Sequence, residues 1–236
     1  MDNARLQGLF SSLAAMNQHG DLPVQAYSMM ASEHSAETLA EHMRIKWLSD
    51  GRFAKIAANI LRHFNETTKS DFTLSSCILA LLLDDHRNRL GLRNDSKLMY
   101  RNSVKTLFAM YPVYMKMDGY LSKSFVKPLF SSLELLIDDE PDSEDLLTAG
   151  NLLCENGRTL NEINSLLIDQ LIVKLRNKLV SDDSAVNVRI RSIFLHVYDL
   201  WAFGWNPLNV PECLDTIRAH EHLDLTTLTG RKQVPA

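Results

Sequence analysis

The chain has 236 residues, of which 45% are apolar, and its formal net charge is −4 at pH 7. A core of normal size can therefore form, while the acidic balance argues against a protein dedicated to nucleic acids or membrane surfaces. Its three cysteines (Cys77, Cys154 and Cys213) form no CxxC pair, so neither a disulfide framework nor a zinc site is expected. This cysteine usage, with no signal-like N-terminus and no long apolar run, predicts a cytoplasmic protein without a membrane partner.

Apolar residues recur at helical spacing along most of the chain, and no segment alternates as a strand would. In chain order, the spacing predicts helices over residues 35–49, 53–64, 72–90, 97–114, 122–138, 145–155, 159–180 and 185–204. The pair Asn156–Gly157 is typical of a turn. Thr159 and Glu162 have the spacing of a capping box, so the long helix after this turn is expected to begin there.

These elements predict an all-α protein of about eight to ten helices. The favoured architecture is a HEAT-type α-solenoid, a curved right-handed array of stacked antiparallel helix pairs without a consensus repeat, and a plain helix bundle is the alternative. The predicted organisation is a flexible or weakly helical lead-in over 1–20, a helical-repeat domain over 21–217 and a tail or linker over 218–236.

The last two predicted helices define the expected core most sharply, because each has one apolar face. Nearly complete burial is predicted for Leu167, Leu171, Ile193, Val197 and Trp201. Trp205 lies beyond Gly204 and is expected to be partly exposed. At the end of an earlier apolar helix, the run Asp84–His86 is expected to be a solvated polar end, because adjacent helical residues diverge by about 100° and do not converge on one ion.

From about residue 99 to 207 the chain resembles the middle domain of translation initiation factor 4G. An aromatic-rich helix end over 104–114 is followed by Pro128 near the start of the next helix. The stretch closes with Phe-Leu-His-Val-Tyr-Asp-Leu-Trp-Ala-Phe-Gly-Trp-Asn-Pro over 194–207. The ending Gly204–Trp205 is most similar to the compact one-domain branch of the family, which includes Mextli and the translation partner of the histone stem-loop-binding protein.

This resemblance implies a non-enzymatic adaptor or scaffold in mRNA translation initiation or its regulation, without a cofactor. Its expected partners are translation initiation factors, with mRNA as a further candidate. The residues are in line with this, because they include no glycine-rich phosphate loop, nucleophile elbow or HExxH spacing. A HEAT-type adaptor in transport or complex assembly is the alternative, and an α-helical hydrolase with a scattered site is a weaker one.

Two basic clusters at predicted helix ends are the candidates for binding phosphates or an acidic protein surface. The first consists of Arg87, Arg89 and Arg93. The second consists of Lys174, Arg176 and Lys178 at one helix end, together with Arg189 and Arg191, which open the next predicted helix and need not lie near the other three. Trp205 is a further candidate for a partner contact. Each cluster has an ordinary solvated face as its alternative interpretation, and a helix C-terminus by itself attracts basic side chains.

Overall fold

The computed structural model describes Gly8, residues 35–67, 73–138 and 140–211, and Leu214. Within these ranges the protein contains nine α-helices and two short 3-10 segments, and no strand. The prediction of an all-α fold with about eight to ten helices is therefore confirmed. None of the helices in these ranges combines the length and the apolarity that crossing a bilayer requires.

In chain order, the helices are α1 (Ala36–Ser49), α2 (Phe53–Thr67), α3 (Thr73–Arg87), α4 (Arg89–Asp95), α5 (Lys97–Met117), α6 (Val126–Asp138), α7 (Ser143–Ile163), α8 (Ser165–Leu179) and α9 (Val188–Ala202). The 3-10 segments are Leu121–Phe125 and Pro207–Asn209. Polar side chains at several helix starts accept a hydrogen bond from a free backbone N–H of the first turn, and these are Ser35, Ser96, Asp142, Asn164 and Asn187.

The chain forms two compact units, Met1–Asp139 and Glu140–Ala236. In the first unit the long helix α5 is central and packs against α1, α2, α4 and α6. Its buried aromatic residues include Tyr100, Phe108 and Tyr114, which are exposed by at most 4%. In the second unit α7, α8 and α9 pack against one another, most extensively α7 against α9.

The boundary between the sixth and seventh predicted helices was wrong. Helix α7 continues through Asn156–Gly157 without a turn, and both Thr159 and Glu162 lie inside it. The helix ends instead at Asn164, whose extended backbone stops it and whose side chain accepts from the N–H of Leu167 at 3.1 Å. Gly157 lies inside the helix and packs against Trp205 instead of forming a turn.

The displaced boundary also changes the buried faces of the second unit. Leu171 and Val197 are buried as predicted, at 1% and 0% exposure. Leu167, Ile193 and Trp201 are only half-buried, so their predicted burial was wrong. Helix α8 begins at Ser165, and its buried residues are Ile168, Leu171, Ile172 and Leu175.

Candidate functional site

A buried carboxylate at the end of α3 fastens this helix to α1. Asp85 is 3% exposed, and its Oδ1 accepts from Arg44 Nε at 2.8 Å and Nη2 at 2.6 Å. Its Oδ2 accepts from Trp47 Nε1 at 3.3 Å. Burial raises the pKa of Asp85, while Arg44 and Trp47 act in the opposite direction. The predicted solvated end of this helix was therefore wrong at Asp85, which has a structural role.

A groove lies between the outer face of α3 and the last turn of α5, and its volume is about 590 Å³. On α3 its lining residues include Ser76, Ala80, Leu83 and Arg87, which are spaced i, i+4, i+7 and i+11 and so share one face. The other wall includes Tyr114, Met117, Asp118 and Leu121. The floor is mainly apolar, and one cation and one carboxylate line its edge.

The polar group at the base of this groove is fixed in place. Tyr114 donates its hydroxyl to the carbonyl of Ser75 at 2.6 Å. Burial raises the pKa of this phenol well above its ordinary value, so Tyr114 keeps its proton at neutral pH. It therefore acts as a hydrogen-bond donor that joins α5 to α3.

The end of α3 is positively charged where it meets the first turn of α6. Arg87 is exposed, and Arg89 donates from Nη1 to the carbonyl of His86 at 3.1 Å. Burial lowers the pKa of His86 to about 4, helped by the charges of Arg89 and Lys127. His86 is thus neutral at pH 7, and the nearby positive charge comes from Arg87, Arg89 and Lys127.

Arg93, the third predicted member of this cluster, does not face solvent. It is 4% exposed, and its guanidinium carbon lies 5.6 Å from the ring centroid of Tyr100. This is a cation–π contact inside the first unit. Its prediction as a partner-binding residue is corrected to a packing role, because a side chain buried in this way offers little surface to a partner.

In the second cluster, Lys178 and Arg191 bind polar groups at the end of α8 and in the connection to α9. Arg191 donates to the carbonyl of Leu179 and, at 3.3 Å, to that of Ser181. Lys178 Nζ lies 3.1 Å from a carboxylate oxygen of Asp183. Both side chains thus satisfy or neutralise groups near the C-terminal end of α8, where unpaired carbonyls attract cations.

The other three members of the second cluster differ in exposure. Arg176 on α8 and Arg189 on α9 are exposed, whereas Lys174 is half-buried. Arg176 and Arg189, with Arg87 of the first cluster, are therefore the predicted arginines that extend into solvent. The structure brings the two basic sets into different compact units.

Trp205 is buried, so its prediction as an exposed partner contact was wrong. It is 6% exposed, and it occupies the left-handed region of the backbone at φ 59°, directly after Gly204 at φ 70°. A Cβ added to Gly157 would overlap the Trp205 ring. The indole therefore packs on bare backbone of α7, which explains both the glycine inside this helix and the burial of the tryptophan.

The sequence did not reveal the Asp85 network, because its partners are about forty residues distant in the chain. The face of α3 that lines the groove was visible as small and apolar residues at helical spacing. Among the described residues, no group of three or more His, Cys, Asp or Glu side chains is placed to hold a metal ion. No model of a known protein family matches this chain.

Proposed function

We propose that this chain is an adaptor of HEAT-type helical pairs that acts in mRNA translation initiation or its regulation. The observation that carries the proposal is the open groove beside the positively charged end of α3, which offers an apolar floor and cations to a macromolecular partner. The resemblance of residues 99–207 to the middle domain of initiation factor 4G supplies the biological setting. We place the protein in the cytoplasm, with translation initiation factors as partners and mRNA as a further one.

The packing in the first unit supports the helical-pair architecture. Helix α1 packs against α3, and α2 packs against α5. In a solenoid of helix pairs, the first helix of one pair packs on the first helix of the next, and the second helices do likewise. If α3 and α4 together form the first half of the second pair, the observed packing follows this order.

The candidate contact residues form a short set. Arg87 and Lys127 are exposed and lie at the positive end of α3, beside the groove. Such side chains bind either phosphates or an acidic protein surface, and the two partners differ in their dependence on salt. Arg176 and Arg189 form a second candidate set on the other unit.

A charge-reversal experiment tests the proposal. We expect Arg87→Glu with Lys127→Glu to lose the translation factors that the wild-type chain retains from cytosolic extract, with nuclease present. The matched control is Arg52→Glu with Arg158→Glu, since these arginines are exposed and pair with Asp50 and Glu162. Loss of RNA retention alone, steep in salt and equal across sequences, would identify RNA as the partner.

The alternative adaptor role outside translation predicts a different protein set in the same experiment. A wild-type chain that retains transport or assembly factors, and no translation factor, would replace the translation assignment. If the charge-reversed chain retains every partner of the wild type, the α3 end is a solvated face and the proposed contact site is wrong.

A further inference from the structure

Helix α8 carries an apolar stripe on its solvent side. Leu166 and Val173 within α8, and Val180 directly after its last residue, are 65%, 57% and 80% exposed, and they are spaced seven residues apart. Seven residues return to nearly the same face of a helix, with a drift of about 20°. The stripe therefore runs about 21 Å along α8, on the side opposite to Ile168, Leu171, Ile172 and Leu175, which face α7 and α9.

Polar side chains flank this stripe in an ordered way. At 100° per residue, Asp169 and Arg176 lie on one flank, while Gln170 and Asn177 lie on the other. All four are exposed. Asp169 is held in position, because its Oδ1 accepts from Trp201 Nε1 at 2.9 Å, and its second carboxylate oxygen is left for another donor.

We propose that α8 is a homodimer interface, in which two copies of the chain pair their α8 helices antiparallel about a two-fold axis at Val173. Leu166 lies as many residues before Val173 as Val180 lies after it. The axis therefore sets Val173 against Val173 of the second copy, and Leu166 against Val180. This is the self-complementary surface that a two-fold interface requires.

The flanking charges favour a second copy, and they favour the antiparallel arrangement. Asp169 precedes the axis by about 6 Å and Arg176 follows it by about 4.5 Å. A two-fold axis perpendicular to α8 keeps each flank on its own side, so each Asp169 meets Arg176 of the other copy. In a parallel pairing Asp169 would instead face Gln170, and no ion pair would form. The two ion pairs set orientation more than affinity.

The dimer should be weak and reversible. A single pair of helices of this length buries less than the ~800 Å² per partner of a standard interface. We expect dissociation constants on the order of 10 to 100 µM. The pairing lies within one unit and does not depend on the residues of the α3 end, and it shares only Arg176 with the second candidate set.

Sedimentation of the full chain between about 1 and 300 µM provides the first test. The expected result is a shift from monomer to dimer with concentration, and its loss in Val173→Glu. Ile45→Glu, a change at a residue of similar exposure (56%) on α1, should dimerise as the wild type does. Circular dichroism checks that both variants stay folded, which is expected because neither side chain is in the core. A wild-type chain that is monomeric throughout overturns the proposal.

Cysteine cross-linking tests the axis itself. Under mild oxidation, Val173→Cys should form a disulfide-linked dimer above the background of the wild-type cysteines. Leu166→Cys alone should not, because the two thiols would be about 21 Å apart, far beyond disulfide reach. A mixture of Leu166→Cys with Val180→Cys should cross-link as Val173→Cys does. Linking of Leu166→Cys to itself, as in a parallel pair, would overturn the antiparallel arrangement.

Discussion

In the first unit, buried polar side chains tie helices together across long stretches of sequence, whereas in the second unit bare backbone lets helices approach closely. The buried hydrogen bonds of the first unit include Tyr100 to Ser132, Asn102 to Leu48 and Trp47 to Asp85. In the second unit the described buried polar residues are Asp145 and Thr148, and Asp145 belongs to the capping box of α7.

In the second unit, close contacts at two glycines set how near the neighbouring side chains approach the helix α7. An added Cβ at Gly157 would overlap Trp205, and one at Gly150 would overlap Ile193. Hydrogen bonds specify a geometry but leave an unsatisfied group when one partner is lost. A glycine contact specifies an approach distance and fails when any side chain is added. Sites held by buried hydrogen bonds should therefore respond most to the loss of a side chain, and close glycine contacts to the addition of one.

The largest effect on stability is expected from removing the indole of Trp205, which packs on Gly157. Trp205→Ala should lower the free energy of unfolding by about 3–5 kcal/mol, because it empties a buried indole volume against α7. Trp201→Ala is the matched control, since this half-buried side chain should cost less. Denaturant unfolding followed by circular dichroism measures both. Equal losses would mean that the two tryptophans contribute alike to the second unit.

Removing a buried polar side chain of the first unit should have the next largest effect on stability. Asp85→Ala leaves Arg44 and Trp47 without their acceptor and should cost about 2–3 kcal/mol, at the low end for a broken buried pair because Arg44 is 34% exposed. Asp84→Ala, at the neighbouring half-buried position, should change stability by less than about 0.5 kcal/mol. If both variants unfold at the wild-type denaturant concentration, the Asp85 network does not stabilise the first unit.

Adding a side chain at a close glycine contact should also lower stability, and Gly157 in the second unit is the test site. Gly157→Ala should lose about 1–2 kcal/mol, since overlap with Trp205 exceeds the helical gain of alanine. Gly91→Ala in α4 is the control, because a Cβ there meets nothing within 4 Å. This control should gain up to about 1 kcal/mol. Stabilisation by both substitutions in a urea melt would contradict the close approach of Trp205 to α7.

The smallest effect concerns pH and the first unit. The pKa of His86 in the folded chain is about 4, below its ordinary value of 6.5. The unfolded state therefore binds the proton first as pH falls, so stability is full above about pH 6.5 and decreases towards pH 4. With allowance for partial exposure, we expect a loss of about 1 kcal/mol over this window. His86→Asn should flatten this part of the stability–pH curve, and an unchanged slope would argue against a depressed pKa.

The sequence predicted the helical class well, because the 3.6-residue period of apolar positions depends only on local spacing. It failed where a residue's role is set by a distant partner. Gly157 follows an asparagine, as in a turn, yet Trp205 requires a glycine at that point in the helix. The basic residues were visible in the sequence, but only tertiary packing separates Arg93 and Arg191, which serve the fold, from exposed Arg87, Arg176 and Arg189.

The positions of the three tryptophans have a spectroscopic consequence. Trp47 lies in the first unit with its indole N–H on the Asp85 carboxylate, while Trp205 lies in the second with its N–H buried and no hydrogen-bond partner. Trp201 is half-buried, so its emission should be the most red-shifted of the three. A chain with Trp47 as its sole fluorophore should report on the melting of the first unit, and one that keeps only Trp205 on the second. Tryptophan fluorescence can thus monitor the unfolding of each unit separately within the intact chain.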